Sequence, residues 1–265
     1  MITALEFLAL ASLPFFLLLD LVHRARRYRT APRWRLRAGL VSAFIFLFTG
    51  GVAAFWARLL GPHSLFHLDG LGTWAGAGVG IVVYELFHYA YHRAAHASDL
   101  LWRAGHQMHH SAESLDAWGA NYLHPLDAFF FTTWSSLVFF PLLGLTAEAG
   151  VVGAFFLAFN AAFQHANLRT PRWLGWVIQR PEQHGIHHAR GVHRYNYADL
   201  PLIDWVFGTF QNPAEWESAC GFHRGASARL GEMLRGVDVS RANAPVEAAP
   251  ARDLWTAAPA PTSRG

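Results

Sequence analysis

Residues 2–22, 39–60 and 71–91 are apolar runs of about twenty residues each, long enough to cross roughly 30 Å of hydrocarbon as helices. Inside a bilayer no water reaches the backbone, so such a run must satisfy its own N–H and C=O groups, and a helix does that. Glu6, Pro14 and Asp20 interrupt the first run, which leaves a tilted or interfacial helix as its alternative. A secretory signal peptide fits poorly there, because the basic residues follow the apolar run and no small-x-small cleavage site stands out. Only 15% of the residues are charged, against about 25% in an ordinary soluble domain. The 11 Trp suit membrane–water interfaces.

Between the first two runs lies HRARRYRTAPRWRLR (23–37), which holds seven of the 21 arginines in a chain without lysine. A cationic loop beside short spans is expected on the cytoplasmic side, which puts the N-terminus outside. The second run then crosses outward, GPHSLFHLDG turns the chain, and the third run returns, so that His92 emerges on the cytoplasmic face. Gly76, Gly78 and Gly80 in that run are expected to let a neighbouring helix approach closely. Because the positive charge is local, nucleic acid is not expected as a partner. The all-arginine usage points to a GC-rich bacterial genome and hence to the bacterial inner membrane.

After a polar stretch at 97–125, apolar character resumes at 126–143 and 151–163. These limbs are short for two full spans and predict a tilted or re-entrant hairpin whose end, at His165, returns to the face it left. Residues 169–235 read as a mixed cap, and 240–265 as an Ala/Pro-rich disordered tail. The expected fold is all-α: an integral-membrane bundle of about four to five membrane helices, with a cytoplasmic helical cap over a His-rich dimetal site. Its expected parts are 1–74 (N-terminal membrane helices and basic loop), 75–215 (catalytic region), 216–239 (an extension of the cap) and the tail.

The chemistry lies in the histidines. HRAAH carries His92 and His96, HQMHH carries His106, His109 and His110, and HGIHH carries His184, His187 and His188; His124 and His165 stand alone. On a helix, residues four apart share a face, as in zinc-binding HExxH helices. Any one such residue is more often a core or surface histidine than a ligand. The two HxxHH boxes and the HxxxH box, all on one predicted face, are what carry the metal reading. Cys220 is the single cysteine, so a disulfide framework or Cys-rich cluster is excluded and the ligands must be nitrogen or oxygen. One zinc needs three or four ligands, so this inventory suits a pair of metals, and imidazole alone does not choose among Zn, Fe, Cu and Ni.

HRAAH, LWRAGHQMHHS, LHP, FQHAN, PEQHGIHH and YNYADLPLIDWVFGTF, spread over roughly residues 75–215, resemble the fatty acid hydroxylase/sterol desaturase superfamily of integral-membrane non-haem diiron enzymes. The resemblance implies two iron ions, with zinc as a substitute on isolation, and use of O2 to hydroxylate or desaturate a lipid C–H bond. It carries metal ligation onto His92, His96, His106, His109, His110, His124, His165, His184, His187 and His188. Tyr122 stands where many relatives have Arg, position 161 is Ala where some have a further His, and Glu85 stands where Asp is common. Glu85, Asp199 and Asp204 are expected to accept N–H from ligand imidazoles and so fix their tautomers. His88 is an extra, expected to support the centre or the structure.

The chain shows no cytochrome b5-like segment and no flavin or nucleotide fingerprint, so electrons are expected from a separate ferredoxin, cytochrome or flavin reductase. The motifs leave the lipid substrate open. Two other classes compete: a membrane zinc hydrolase using the same histidines on water, and a metal transporter or sensor. The first lacks an HExxH glutamate and leaves most histidines idle; the second should spread its ligands along a path through several spans.

Overall fold

The computed structural model describes residues 3–61, 63–216 and 218–240, so all but the first residue of the expected disordered tail lies outside the described residues. The described chain is helical, with one isolated antiparallel bridge, Ala189 to Cys220, and no strand among the described residues. Its α-helices in order are α1 Ala4–Val22, α2 Trp34–Leu60, α3 Gly72–Ala97, α4 Asp99–Leu101, α5 Gln107–His110, α6 Pro125–Leu137, α7 Ala147–His165, α8 Pro181–His187, α9 Pro201–Val206 and α10 Leu230–Met233.

Four segments are long and apolar enough to cross a membrane: Ala4–Val22, Trp34–Leu60, Asp69–Ala97 and Ala147–His165. The polar residues of α1 have local explanations. Glu6 closes a capping box with Thr3 at the helix start. Asp20, 1% exposed, accepts the backbone N–H groups of Ala117 and Asn167. The second hairpin limb is longer than expected, because α7 begins at Ala147, capped by Thr146, and continues through Gln164 to His165; its 19 residues suffice to cross. The first limb, α6, runs on through a π-helical turn at Val138–Leu142 that contains Pro141. Proline cannot donate to the helix ladder, and a widened turn is one way to accommodate it.

The helices run so that one face of the bundle gathers the chemistry. Asp20 at the end of α1 bonds to Ala117 and Asn167, and Trp34 at the start of α2 donates to Asp116. The last turns of α3 and α7 and the start of α6 lie at that same face. At the opposite face the 65–68 turn donates backbone N–H groups to the carbonyls of Pro141, Leu142 and Leu143. The hairpin therefore leaves the histidine face and returns to it. The basic loop is tied down there too: Arg26 is buried and pairs with Glu182 of α8 at 3.0 Å, while its Nε donates to the Trp216 carbonyl. Arg180, 0% exposed, pairs with the other oxygen of Glu182.

α3 packs on α7, as α1 does, and two of the three glycines in the α3 run sit at close approaches, Gly76 to α7 and Gly80 to the Phe139–Leu145 stretch that precedes it. A Cβ at Gly80 would lie 2.7 Å from Phe139 Cε1 and 2.8 Å from Leu145 Cδ1, and one at Gly76 would lie 3.3 Å from Ala149 Cβ, whereas Gly78 faces open space. Gly80→Ala is therefore expected to destabilise the protein by about 1–3 kcal/mol through overpacking. Gly78→Ala should be neutral or slightly stabilising. Thermal unfolding of both variants in detergent distinguishes them.

Candidate metal centre

Nine of the ten histidines expected as ligands come together, in two adjacent groups. His92, His96, His106, His110 and His187 form one; His109, His165, His184 and His188 form the other; within each, the ligand atoms lie within 4.8 Å of one another. The HRAAH pair sits on the last two turns of α3. HQMHH straddles a π-helical turn, Trp102–His106, and α5, so that His106 and His110 face one group and His109 the other. HGIHH divides likewise on α8, sending His187 to the first group and His184 and His188 to the second. Adjacent imidazoles on a helix point apart, and here that divergence serves two sites. The groups touch through His110 and His188, whose rings stack at 4.2 Å.

Most of the rings are fixed from behind. His92 Nδ1 lies 2.6 Å from the Tyr197 carbonyl, His187 Nδ1 2.8 Å from that of Tyr195, and His165 Nδ1 2.8 Å from that of Ala161. His106 Nδ1 donates to Asp127 Oδ2 at 2.9 Å, and Asp127 also accepts from the Tyr91 hydroxyl at 2.7 Å. The Gln179 amide stands 2.8 Å from His184 Nδ1; with its oxygen turned toward that atom, its NH2 donates to the carbonyls of Ala198 and Asn196. A carbonyl can only accept, so Nδ1 carries the proton and Nε2 presents a bare lone pair.

Those lone pairs have nowhere to go within the protein. His92 Nε2 and His187 Nε2 are buried with no hydrogen-bond partner among the described residues. With Gln179 so turned, His165 Nε2 and His184 Nε2 face each other at 3.0 Å with both protons on the far side, and no hydrogen lies between them. Two ligands about 2.1 Å from one ion and roughly at right angles are about 3.0 Å apart. A cation resolves what is otherwise repulsion, and the residues fit metal. The protonation chemistry agrees. Burial, and secondarily neighbouring imidazoles, hold His109, His110, His184 and His188 well below the ordinary histidine value; burial and His106 do so for His187.

Four expected roles change. His124 is in neither group: it is the N-cap of α6, and its Nδ1 accepts from Leu126 N at 3.1 Å. Glu85 touches no ligand imidazole through a hydrogen bond; its Oε2 accepts the backbone N–H of Asp199 at 2.7 Å and of Leu200 at 3.3 Å. Asp199 accepts from Gln164 Nε2 at 3.0 Å rather than from a histidine. Asp204 accepts from the N–H groups of Tyr197 and Ala198, both at 2.8 Å, and so acts one step away, holding the turn whose carbonyls receive His92 and His187.

The tautomer-fixing carboxylate is Asp127, which the sequence reading missed. That turn holds Tyr195 and Asn196 at φ 68° and 49°, a conformation costly for residues with a Cβ, as is often found where backbone serves a site. His193 was also missed, and its Nδ1 lies 3.1 Å from His110 Nδ1. Asp127→Ala is expected to weaken metal binding about 10–100-fold, as loss of a ligand's hydrogen-bond partner does. Competition against a chelator measures it.

Fold and centre together define an integral-membrane, all-helical protein with a buried histidine site built to hold metal. A family model described as fatty acid hydroxylase matches residues 77–209, and the chain belongs to that family. Among curated proteins it is 33% identical to alkylglycerol monooxygenase of Homo sapiens over 160 residues, 56% of this chain and 33% of the relative. It is 32% identical to an ornithine lipid hydroxylase of Rhizobium tropici over 162 residues, 58% of this chain and 47% of that one. Sphinganine C4-monooxygenase 1 of Arabidopsis thaliana is 24% identical over 134 residues, 49% of this chain and 52% of the relative. The chain thus spans a third to about half the length of these relatives. No solved structure gives a significant match.

Proposed function

We propose that the chain is a membrane-bound oxidoreductase that hydroxylates or desaturates a lipid, with two irons held by the groups of five and four histidines. The observation that carries this reading is the pairing of two buried all-imidazole groups side by side in a member of this family. The nine histidines would hold iron, which when bound would supply O2 chemistry able to oxidise an unactivated C–H bond, with electrons from a separate donor. The protein's own residues orient the ligand rings through Asp127, Gln179 and the 195–197 carbonyls, and exclude water through burial.

The apolar approach is supported by Phe131 of α6, whose ring lies 5.9 Å from that of His92 and 6.3 Å from that of His106. Next to it, Trp134 stacks on the partly exposed Phe87 of α3 at 5.2 Å. A lipid chain entering between α3 and α6 would meet Phe131 before the metals. The relatives' names speak of alkylglycerol, sphinganine and ornithine lipid, all polar heads on long hydrocarbon chains, and a substrate of that kind suits this slot.

Arg24, Arg27, Arg29 and Arg33 are exposed on the histidine face, which favours a cytoplasmic orientation in a bacterial inner membrane. Electrons would come from a separate ferredoxin, cytochrome or flavin reductase docking there. A zinc hydrolase of the usual kind, one ion with three ligands and an open position, would leave one of the two groups without purpose. Comparative lipidomics of a deletion strain and its parent tests the proposal: one lipid class should differ by one oxygen or two hydrogens. Identical lipid profiles, with the protein present and metal-loaded in the parent, would refute it.

A further inference from the structure

A second set of ionisable groups lies behind the nine-histidine centre, one and two helical turns below His92 on α3. Glu85 (0% exposed), His88 (8%) and Asp199 (4%) bring ligand atoms within 4.8 Å of one another. Glu85 Oε1 and His88 Nδ1 are 3.7 Å apart, too far for a hydrogen bond, and neither has another hydrogen-bond partner among the described residues. Asn160 on α7, also 0% exposed, adjoins the Asp199 carboxylate, and both of its amide atoms lack a hydrogen-bond partner in good geometry.

Hydrogen bonds already occupy one oxygen of each carboxylate. Glu85 Oε2 takes two backbone N–H groups and Asp199 Oδ1 takes the Gln164 amide. Two carboxylates and one imidazole therefore share a pocket closed to water, where uncompensated charge is costly. A divalent cation neutralises two carboxylates. Two donors 3.7 Å apart suit an ion about 2.1 Å from each, subtending roughly 120°.

We propose that Glu85, His88 and Asp199, with Asn160 as a fourth donor, form a third cation site, distinct from the nine histidines. Its ligand is a divalent metal that accepts mixed oxygen and nitrogen donors, such as Mn, Fe or Zn. The site joins α3, α7 and the 196–204 turn immediately behind the metal centre, since the His88 ring stacks on that of His92 at 5.5 Å and 17°. It is independent of the redox reading above, because it uses none of the nine histidines.

The test loads the purified full-length chain, in detergent, with Mn2+ and counts metal per chain after dialysis. Wild type should retain one more Mn per chain than Glu85→Gln or Asp199→Asn. Asn160→Ala, which keeps every charge, should weaken that one ion about tenfold and leave the others unchanged. An anomalous peak between Glu85 and His88 in crystals of the Mn-loaded protein should vanish in Glu85→Gln. Equal metal counts in wild type and variants, or no peak there, would overturn the proposal and assign the compensating charge to a proton. If the carboxylate variants do not fold, the Asn160→Ala titration and the wild-type anomalous map decide. Loss of ions from His184→Ala reports on the histidine centre separately.

Discussion

If the proposed two-metal lipid oxidation is right, replacing His184 by alanine is expected to remove one metal ion per chain and to abolish turnover while the helices still form. His184 is one of four donors in its group, and its Nε2 lies 3.0 Å from both His165 Nε2 and His188 Nε2. Its removal leaves three imidazoles and strands the buried lone pairs that faced it. Loss of a direct ligand should exceed the roughly 10–100-fold drop in affinity that attends loss of a hydrogen-bond partner. The group of five shares no residue with this one, so its ion should be retained. A centre that needs both ions would then lose turnover altogether. The control is His124→Ala, which should leave the metal count unchanged and cost only about 1 kcal/mol, the scale of a lost N-cap. Metal analysis, circular dichroism and product formation on the two variants make the comparison. Full metal content and turnover in His184→Ala would remove the basis for the two-group centre.

Local pattern made the clustered histidines legible, and distance in the chain hid what holds them. HRAAH and the two HxxHH boxes announce shared helix faces, and the apolar runs announce where those helices end. Asp127 supports His106 from 21 residues away, and nothing in LHPLDAFF marks it as a partner. The Tyr195 and Tyr197 carbonyls are backbone groups, which every residue has, so no sequence signal exists for them. His124 did carry its own signal: a residue just before Pro at the first helical position reads as an N-cap. Glu85 was given a task by resemblance, yet its hydrogen bonds go to the Asp199 and Leu200 amides. The α7 limb looked short because TAEAG reads as a turn, though Thr146 caps a helix that starts at Ala147, and because Gln164 and His165 are polar. They are buried against the centre, and tertiary context, not hydropathy, extends the helix.

Acidification is expected to strip the centre of metal and to destabilise the metal-free chain over the same range. His109, His110, His184, His187 and His188 lie outside the membrane-crossing segments, and burial keeps each well below its ordinary value near 6.5. In the unfolded chain they take up protons below about pH 6.5, while in the folded chain they stay neutral. The unfolded state then binds more protons, so stability rises with pH: it is fully present above the unfolded value and is lost as pH falls below it. Buried carboxylates act in the opposite sense. Burial raises Asp199 to about 7 and Asp204 to about 6, so each holds a proton in the folded state before the unfolded state does, and offsets part of the loss. Burial shifts Asp116 in the same direction. Histidines outnumber carboxylates among these groups, so unfolding takes up protons on balance and acidification favours the unfolded chain. Protons also compete with metal for the same Nε2 lone pairs, so ions should leave as the chain loosens. Metal retained per chain after desalting at stepped pH should fall by half between about pH 6.5 and 5, with chelator-treated protein losing helicity at higher pH than loaded protein. Metal held undiminished to pH 4 would mean that neutral imidazoles are not what binds it.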